Sequence, residues 1–217
     1  MIDIVVPTIG RPSLALLLAS LGRARGPRPE RIFVVDDRRD SCTPLALGAH
    51  DADLERRIVV LSGRGGGPAS ARNVGWRASR ALWVAFLDDD VLVNDDWLAR
   101  LVEDLAHAPL DVAGSTGRVR VPLPPDRKPT DWERNVAGLE TARWITADCA
   151  YRRSELLAVG GFDERFPRAY REDSDIALRI VARGRRIVAG ERGVTHPVRP
   201  APWYISVSLQ AGNADDA

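Results

Sequence analysis

The stretch Trp83-Val84-Ala85-Phe86-Leu87-Asp88-Asp89-Asp90-Val91 decides how the chain is read. Five apolar residues suit a strand buried on both faces, and three carboxylates follow it without a spacer. In open α/β sheets the carboxyl ends of parallel strands are where ligands sit. Adjacent carboxylates repel one another, and each raises its neighbours' cost of ionisation. A divalent cation relieves that repulsion. Hard oxygen ligands suit Mg²⁺ or Mn²⁺, ions that commonly also take substrate phosphates. The ordinary alternative is a solvated turn or helix cap, and the position directly after Trp83–Leu87 favours the metal.

Working outward, Ile2–Val6 and Ile32–Val35 read as further buried parallel strands, with Ile58–Leu61 a fourth. Between them lie predicted helices Ser13–Leu21, with Ser13 as N-cap, and Ala69–Arg80. Asp96–Ala106 follows with apolar residues at helical spacing. Alternating strands and helices define an α/β fold with a mostly parallel open sheet flanked by helices. Beyond it, Val121–Pro129 holds four prolines and reads as a loop. Asp131–Arg143 is predicted helical, Ile145–Arg152 a strand and Ser154–Val159 a short helix stopped at Gly160-Gly161. Asp173–Arg183 is an amphipathic helix with Gly184 as its stop.

Three further features follow strand ends. Asp36-Asp37 succeeds Ile32–Val35, where carboxylates would accept hydrogen bonds from a base N–H or a ribose hydroxyl; a plain Asp turn is an equal alternative. Gly63-Arg64-Gly65-Gly66-Gly67-Pro68 matches neither GxGxxG nor GxxxxGK[ST], so a simple connection is its default reading. Asn73 is a poor helix-interior residue, which points to a side-chain contact, and Arg72 beside it has the reach for a diphosphate or a base.

Composition narrows the function class. The 217 residues allow one substantial core, and a net charge of +1 gives no reason to expect nucleic acid. Lys128 is the sole lysine, so the basic residues are nearly all arginine. Cys42 and Cys149 have no Cys/His cluster around them and no disulfide spacing, which argues against zinc and for a reducing, cytoplasmic compartment. No apolar run is long enough for a transmembrane segment, and peripheral contact with the inner face of the membrane is left open.

Taken together, Val5-Val6-Pro7-Thr8, Val34-Val35-Asp36-Asp37, Ala71-Arg72-Asn73-Val74-Gly75, Phe86–Asp90, Gly160-Gly161-Phe162-Asp163-Glu164 and Glu172-Asp173-Ser174-Asp175 resemble, in order and spacing, the inverting glycosyltransferases of the GT-A fold, a large family that includes cell-wall and polysaccharide sugar transferases. The resemblance implies a GT-A domain over 1–217, with a nucleotide-sugar half at 1–110, an acceptor half at 111–200 and a tail at 201–217. That tail, ending at Gln210–Ala217, reads as the open end of a longer protein. The resemblance further implies sugar transfer, with inversion, from a UDP- or GDP-sugar to a glycan, lipid-linked or small-molecule acceptor, with Mn²⁺ or Mg²⁺ as cofactor.

The roles it implies are specific. Pro7, Thr8, Asp36, Asp37, Arg72, Asn73, Asp88 and Asp89 would hold the donor. Asp90 and, on a weaker match, His196 would hold the metal. Asp173 would be the general base, at a helix start whose dipole favours its ionised form. Asp148, Trp144 and Glu172 would meet the acceptor, with Trp132 and Tyr170 as further stacking candidates. Arg38-Arg39 stand where the family usually has Gly-Ser, which puts the donor's identity in question. Two rivals are a sugar-1-phosphate nucleotidyltransferase, whose basic N-terminal glycine loop is only loosely echoed by Pro7–Pro12, and a non-catalytic nucleotide-sugar binding module.

Overall fold

A computed structural model describes residues 1–205 apart from Ser41, Pro167 and Trp203. The open end read at Gln210–Ala217 lies outside these residues. The chain begins β1 (Ile2–Thr8), α1 (Ser13–Arg23), β2 (Ile32–Asp36), the single turn α2 (Ala52–Glu55), β3 (Ile58–Ser62), α3 (Pro68–Ala78) and β4 (Trp83–Leu87). It continues through β5 (Leu92–Val93), α4 (Trp97–Ala106), β6 (Val112–Arg120), α5 (Asp131–Ala137), β7 (Asp148–Arg152), α6 (Arg153–Val159), α7 (Glu172–Ala182) and β8 (Arg186–Thr195). All eight strands join one sheet in the order β3-β2-β1-β4-β7-β6-β8-β5. Strands β1 to β4 are mutually parallel, and only β7 and β5 run against the rest.

The strand period of two divides the core between the two sheet faces. Ile4, Val6, Ile32, Val34, Ala85 and Leu87 meet Leu14, Leu17, Leu18 and Leu21 of α1 and Trp97, Leu98 and Leu101 of α4. Their neighbours Val5, Phe33, Val35, Val84 and Phe86 meet Ala69, Ala71 and Trp76 of α3, together with Leu156 of α6 and Ile176 and Ile180 of α7. Helix α3 approaches closely because Gly75 has no side chain. A Cβ there would stand 2.4 Å from Val5 Cγ1. One turn earlier on the same helix is Arg72, whose reach over the sheet depends on that approach.

The expected elements of the first half are present, with ends shifted by a few residues. Ser13 is not the N-cap of α1: Pro12 takes that position, and Ser13 Oγ has no hydrogen-bond partner among the described residues. The helix expected over Asp131–Arg143 is shorter. It ends at Ala137 and passes into a 3-10 turn at Gly138–Glu140, while a capping box between Thr130 and Glu133 secures its start. Strand β7 begins at Asp148 rather than Ile145, after a loop in which Trp144 adopts φ 61°.

Strands β5, β6 and β8 do not announce themselves in the sequence. β6 carries two glycines, a composition that weakens a strand signal. Both are required by close approach: a Cβ on Gly114 would stand 2.6 Å from the Tyr151 ring, and one on Gly117 would stand 2.1 Å from the Asp148 carboxylate. β8 interrupts its apolar residues with Gly190, Glu191 and Arg192. Among the described residues no helix is long and apolar enough to cross a membrane.

Candidate functional site

Strand order places β1 at the centre, with β2 and β3 to one side and β4 to the other. A crevice at the carboxyl ends is expected where the order reverses. A cavity of about 340 Å³ opens there, lined by Pro7, Thr8, Arg11, Asp37, Arg72, the Asp88–Asp90 triplet, His196 and Arg199, with Ile9, Pro68 and Ala169. Register accounts for the convergence: Thr8 is level with Asp36 on β2, and β4 beside β1 delivers Asp88 directly after Leu87.

Each carboxylate of the triplet has its own partners. Asp88 accepts from Arg72 Nη2 at 2.8 Å. Asp89 accepts from Thr8 Oγ1 at 2.6 Å and from Arg11 Nη1 at 2.8 Å. Burial raises the Asp89 carboxyl above its ordinary pKa, and Thr8 and Arg11 oppose the shift. Asp90 is ringed by basic side chains: Arg11 Nη1, Arg199 Nε and His196 Nε2 each stand 3.4 Å from one of its oxygens.

Among the described residues no group of three or more His, Cys, Asp or Glu side chains converges as a metal cage. Asp90 and His196 nevertheless fit a cation that takes its remaining ligands from a substrate. They are adjacent, both line the cavity, and an imidazole with a carboxylate is a donor set a divalent transition ion accepts. His196 is anchored by its backbone, its N–H donating to Arg120 O at 2.8 Å. Its Nδ1 is buried without a hydrogen-bond partner among the described residues, and its Nε2 is the ring nitrogen that faces Asp90.

On the β2 side, Asp37 faces the cavity and Asp36 does not. The Asp36 carboxylate is gripped by Arg38, whose Nε and Nη2 donate at 2.8 and 2.7 Å, and this pair holds its pKa low. Arg38 also donates to Thr43 O, so the cation that replaces the usual glycine is engaged within its own loop. Asp37 accepts from the amides of Gly66 and Gly67, both at 2.9 Å. Two N–H groups of the glycine loop therefore point at a carboxylate of the protein. Burial of Asp37 still raises its pKa despite these bonds.

Arg72 links the triplet to α7. It is 2 % exposed and donates from Nη1 to Glu172 at 2.7 Å as well as to Asp88. Asp173 follows Glu172 in the first turn of α7 and accepts from the Ser174 amide at 2.7 Å. Burial is the largest influence on Asp173 and raises its pKa. The Ser174 amide and Arg72 pull it down, and the nearby Asp88 adds to the rise. The helix-dipole argument for a readily ionised Asp173 is thus outweighed by desolvation.

Three expected site residues are turned inward. Asn73 is fully buried and bonds to Phe162 N, Phe162 O, Glu164 and Trp76, so its contact is with the chain's own Gly161–Glu164 loop and not with a donor. Glu172 is 2 % exposed behind Arg72, out of an acceptor's reach. Asp148 is 0 % exposed and accepts from Trp97 Nε1 and Arg192 Nε, both at 2.7 Å, which leaves it no contact with an acceptor. Trp144 lines a separate groove with Arg118, Arg120 and Arg143. Trp132 donates its indole N–H to Arg199 O at 2.9 Å. Arg11 and Arg199 were not expected at the site. The signal for Arg11 was its place just past β1, and it is masked by the abundance of arginine.

A sheet of this order with an acidic triplet at its switch point is of the GT-A type, and solved structures bear out the fold. Mannosyltransferase PcManGT from Pyrobaculum calidifontis, in complex with GDP-Man and Mn2+, matches with a TM-score of 0.66 at 21 % identity, over 100 % of this chain and 64 % of that one. TarS of S. aureus in complex with UDP-GlcNAc matches with a TM-score of 0.65 at 18 % identity, over 94 % and 60 % of the two chains. The model of glycosyl transferase family 2 matches residues 3–171, and the chain belongs to that family. Among curated relatives, the pre-mycofactocin glycosyltransferase of Mycobacterium tuberculosis is 31 % identical over 202 residues, 86 % of this chain and 40 % of the relative. The succinoglycan biosynthesis protein ExoO of Rhizobium meliloti is 42 % identical over 94 residues, 40 % of this chain and 26 % of the relative. The chain thus spans less than half the length of either curated relative.

Proposed function

We propose that this chain transfers a sugar from a nucleoside-diphosphate sugar to an acceptor hydroxyl, with inversion at the anomeric carbon and dependence on Mn²⁺ or Mg²⁺. The observation that carries the reading is the Arg72 bridge. One guanidinium ties Asp88, at the donor cleft, to Glu172, the residue before Asp173. Donor site and base are thereby held in one frame, which an in-line displacement requires.

In this reading Pro7, Thr8 and Asp37 receive the nucleoside, and Asp89, whose geometry is set by Thr8, faces the ribose. Asp90 and His196 hold the cation, which when bound supplies Lewis-acid neutralisation of the leaving diphosphate. Asp173 accepts the acceptor's hydroxyl proton on a carboxylate oxygen. The hydroxyl oxygen forms the new bond to the anomeric carbon as the bond to the diphosphate oxygen breaks, so the products are a glycoside and a nucleoside diphosphate. Single displacement from the opposite face inverts the centre. The donors named for the structural neighbours, GDP-Man and UDP-GlcNAc, support a UDP- or GDP-sugar here. The succinoglycan biosynthesis named for ExoO supports a glycan acceptor, with Trp144 in the adjoining groove as a stacking surface.

Titration calorimetry with UDP, GDP, dTDP and ADP, each with and without Mn²⁺, tests the reading. Metal-dependent binding of one of them is the expected result. Folded protein that binds none refutes it, and release of pyrophosphate rather than nucleoside diphosphate assigns the chain to the nucleotidyltransferases.

A further inference from the structure

We infer that Arg11 and Arg199 are ligands of the donor's diphosphate, held against Asp90 until the donor arrives; the inference rests on the function proposed above. Three arginines and one histidine line the cavity: Arg11, Arg72, Arg199 and His196. Arg72 is buried and both its terminal nitrogens are engaged, by Asp88 and Glu172. His196 faces Asp90 with Nε2. That leaves two arginines. Arg11 donates through Nη1 alone, to Asp89 and Asp90, and its Nε and Nη2 make no hydrogen bond among the described residues. Arg199 meets Asp90 only as a charge, Nε to Oδ2 at 3.4 Å. Both guanidinium groups approach the same oxygen, Asp90 Oδ2.

The arrangement is lopsided in exposure. Asp90 has a side chain 7 % exposed, while those of Arg11 and Arg199 are 35 % and 48 % exposed. The carboxylate is the enclosed member, and the two arginines are the members with open space around them. A guanidinium presents a planar fork of donors that matches phosphate oxygens two at a time, and charge-assisted bonds of that kind are the strong ones. A nucleoside diphosphate entering the cavity brings oxygens that both forks can take. Asp90, the charge both arginines relinquish, would then be left to hold a cation. The backbone of Arg199 is pinned for this by the Trp132 indole, so the side chain moves from a fixed root. Before the donor arrives, the two arginines compete with a lone cation for Asp90, which makes metal and donor bind as a pair.

The test uses Arg11→Ala, Arg199→Ala and the double variant, with wild type as reference and thermal melts to show that all are folded. The probes are Mn²⁺ alone, followed by electron paramagnetic resonance, and, by calorimetry with Mn²⁺ present, the nucleoside diphosphate that wild type prefers and its parent nucleoside. Each single variant is expected to weaken the diphosphate roughly tenfold to a hundredfold, the range of a lost hydrogen bond to a charged group. Nucleoside affinity stays unchanged, and Mn²⁺ alone binds more tightly than to wild type. Equal weakening of nucleoside and diphosphate, unchanged diphosphate affinity, or Mn²⁺ binding no tighter than wild type overturns the inference. Wild type that binds no nucleoside diphosphate refutes the function as well. Wild type that binds one as the variants do refutes only the roles of Arg11 and Arg199.

Discussion

Arg192 and Arg72 are both buried arginines, and each joins carboxylates far apart in the chain. Arg192 uses its whole fork: Nε bonds to Asp148, Nη1 to Asp104 and Ser115 Oγ, and Nη2 to Ser115 O. Asp148 in turn takes the indole of Trp97. That network knits α4, β6, β7 and β8 together and lines none of the cleft. Arg72 is as deeply buried, yet its Nε and Glu172 Oε2 lack partners among the described residues, and its guanidinium borders the cavity. Closed networks of buried polar groups hold a shape; incompletely satisfied ones keep capacity for a ligand. The contrast assigns the Arg192 centre to stability and the Arg72 centre to the site.

The contrast breaks most sharply at two positions of similar energetic size. Asp173→Asn is expected to lose about 10²–10⁴-fold in kcat, the usual worth of a general base, with nucleotide affinity unchanged. A variant with wild-type turnover removes Asp173 from the chemistry. Arg192→Met is expected to cost about 3–5 kcal/mol in urea denaturation, because it removes the cation that pairs the fully buried Asp148 and the partly buried Asp104. If it unfolds at the wild-type midpoint, or if it folds normally and fails only in nucleotide binding, the division between the two centres is wrong.

A smaller effect is carried by pH. Burial raises the Asp173 carboxyl, so its folded pKa lies above the unfolded value of about 3.9. A base must be ionised, so kcat is expected to fall as pH drops through that raised value, on an acid limb displaced upward from an ordinary aspartate. Linkage has the matching sign. The folded state holds this proton more tightly than the unfolded state, so the ionised carboxylate destabilises the fold above the raised pKa and the penalty vanishes below the unfolded one. Asp173→Asn is therefore expected to melt no lower than wild type at neutral pH, with any advantage fading as the solution is acidified. A lower melting point at neutral pH contradicts a desolvated base. The smallest effect is expected at Trp144→Ala, which should raise the acceptor's KM and leave nucleotide binding and the melting point nearly unaltered. Weakened donor binding in that variant would connect its groove to the wrong partner.

How far the sequence can be read follows the same division. β1, β2 and β4 are short apolar runs ending at turns or charges, and each keeps its chemistry within a few residues of the strand end, so motif and fold are legible together. β6 and β8 derive their burial from partners dozens of residues away. Gly114 and Gly117 are there to make room for Tyr151 and Asp148, and Arg192 is one arginine among many until its carboxylates are located. The same distance explains why Asp148 read as exposed chemistry. Asn73 is the intermediate case: a side-chain contact was legible from its place in a helix, but its partner, the Gly161–Phe162 turn, was not.

Gly75 has a wider consequence. A methyl group there would push against Val5 in the middle of the sheet, so α3 could accommodate it only by rising off β1. Everything mounted on α3 would rise with it: the arm that spans to Asp88 and Glu172, and the Asn73 clasp on the turn before α7. The register between the Asp88 end of the cleft and Asp173 is thus set by a spacer of no thickness. If the proposed function holds, a chain redesigned to accept a bulkier donor cannot gain that room by shimming the helix outward without also detuning the distance over which the sugar would be handed across.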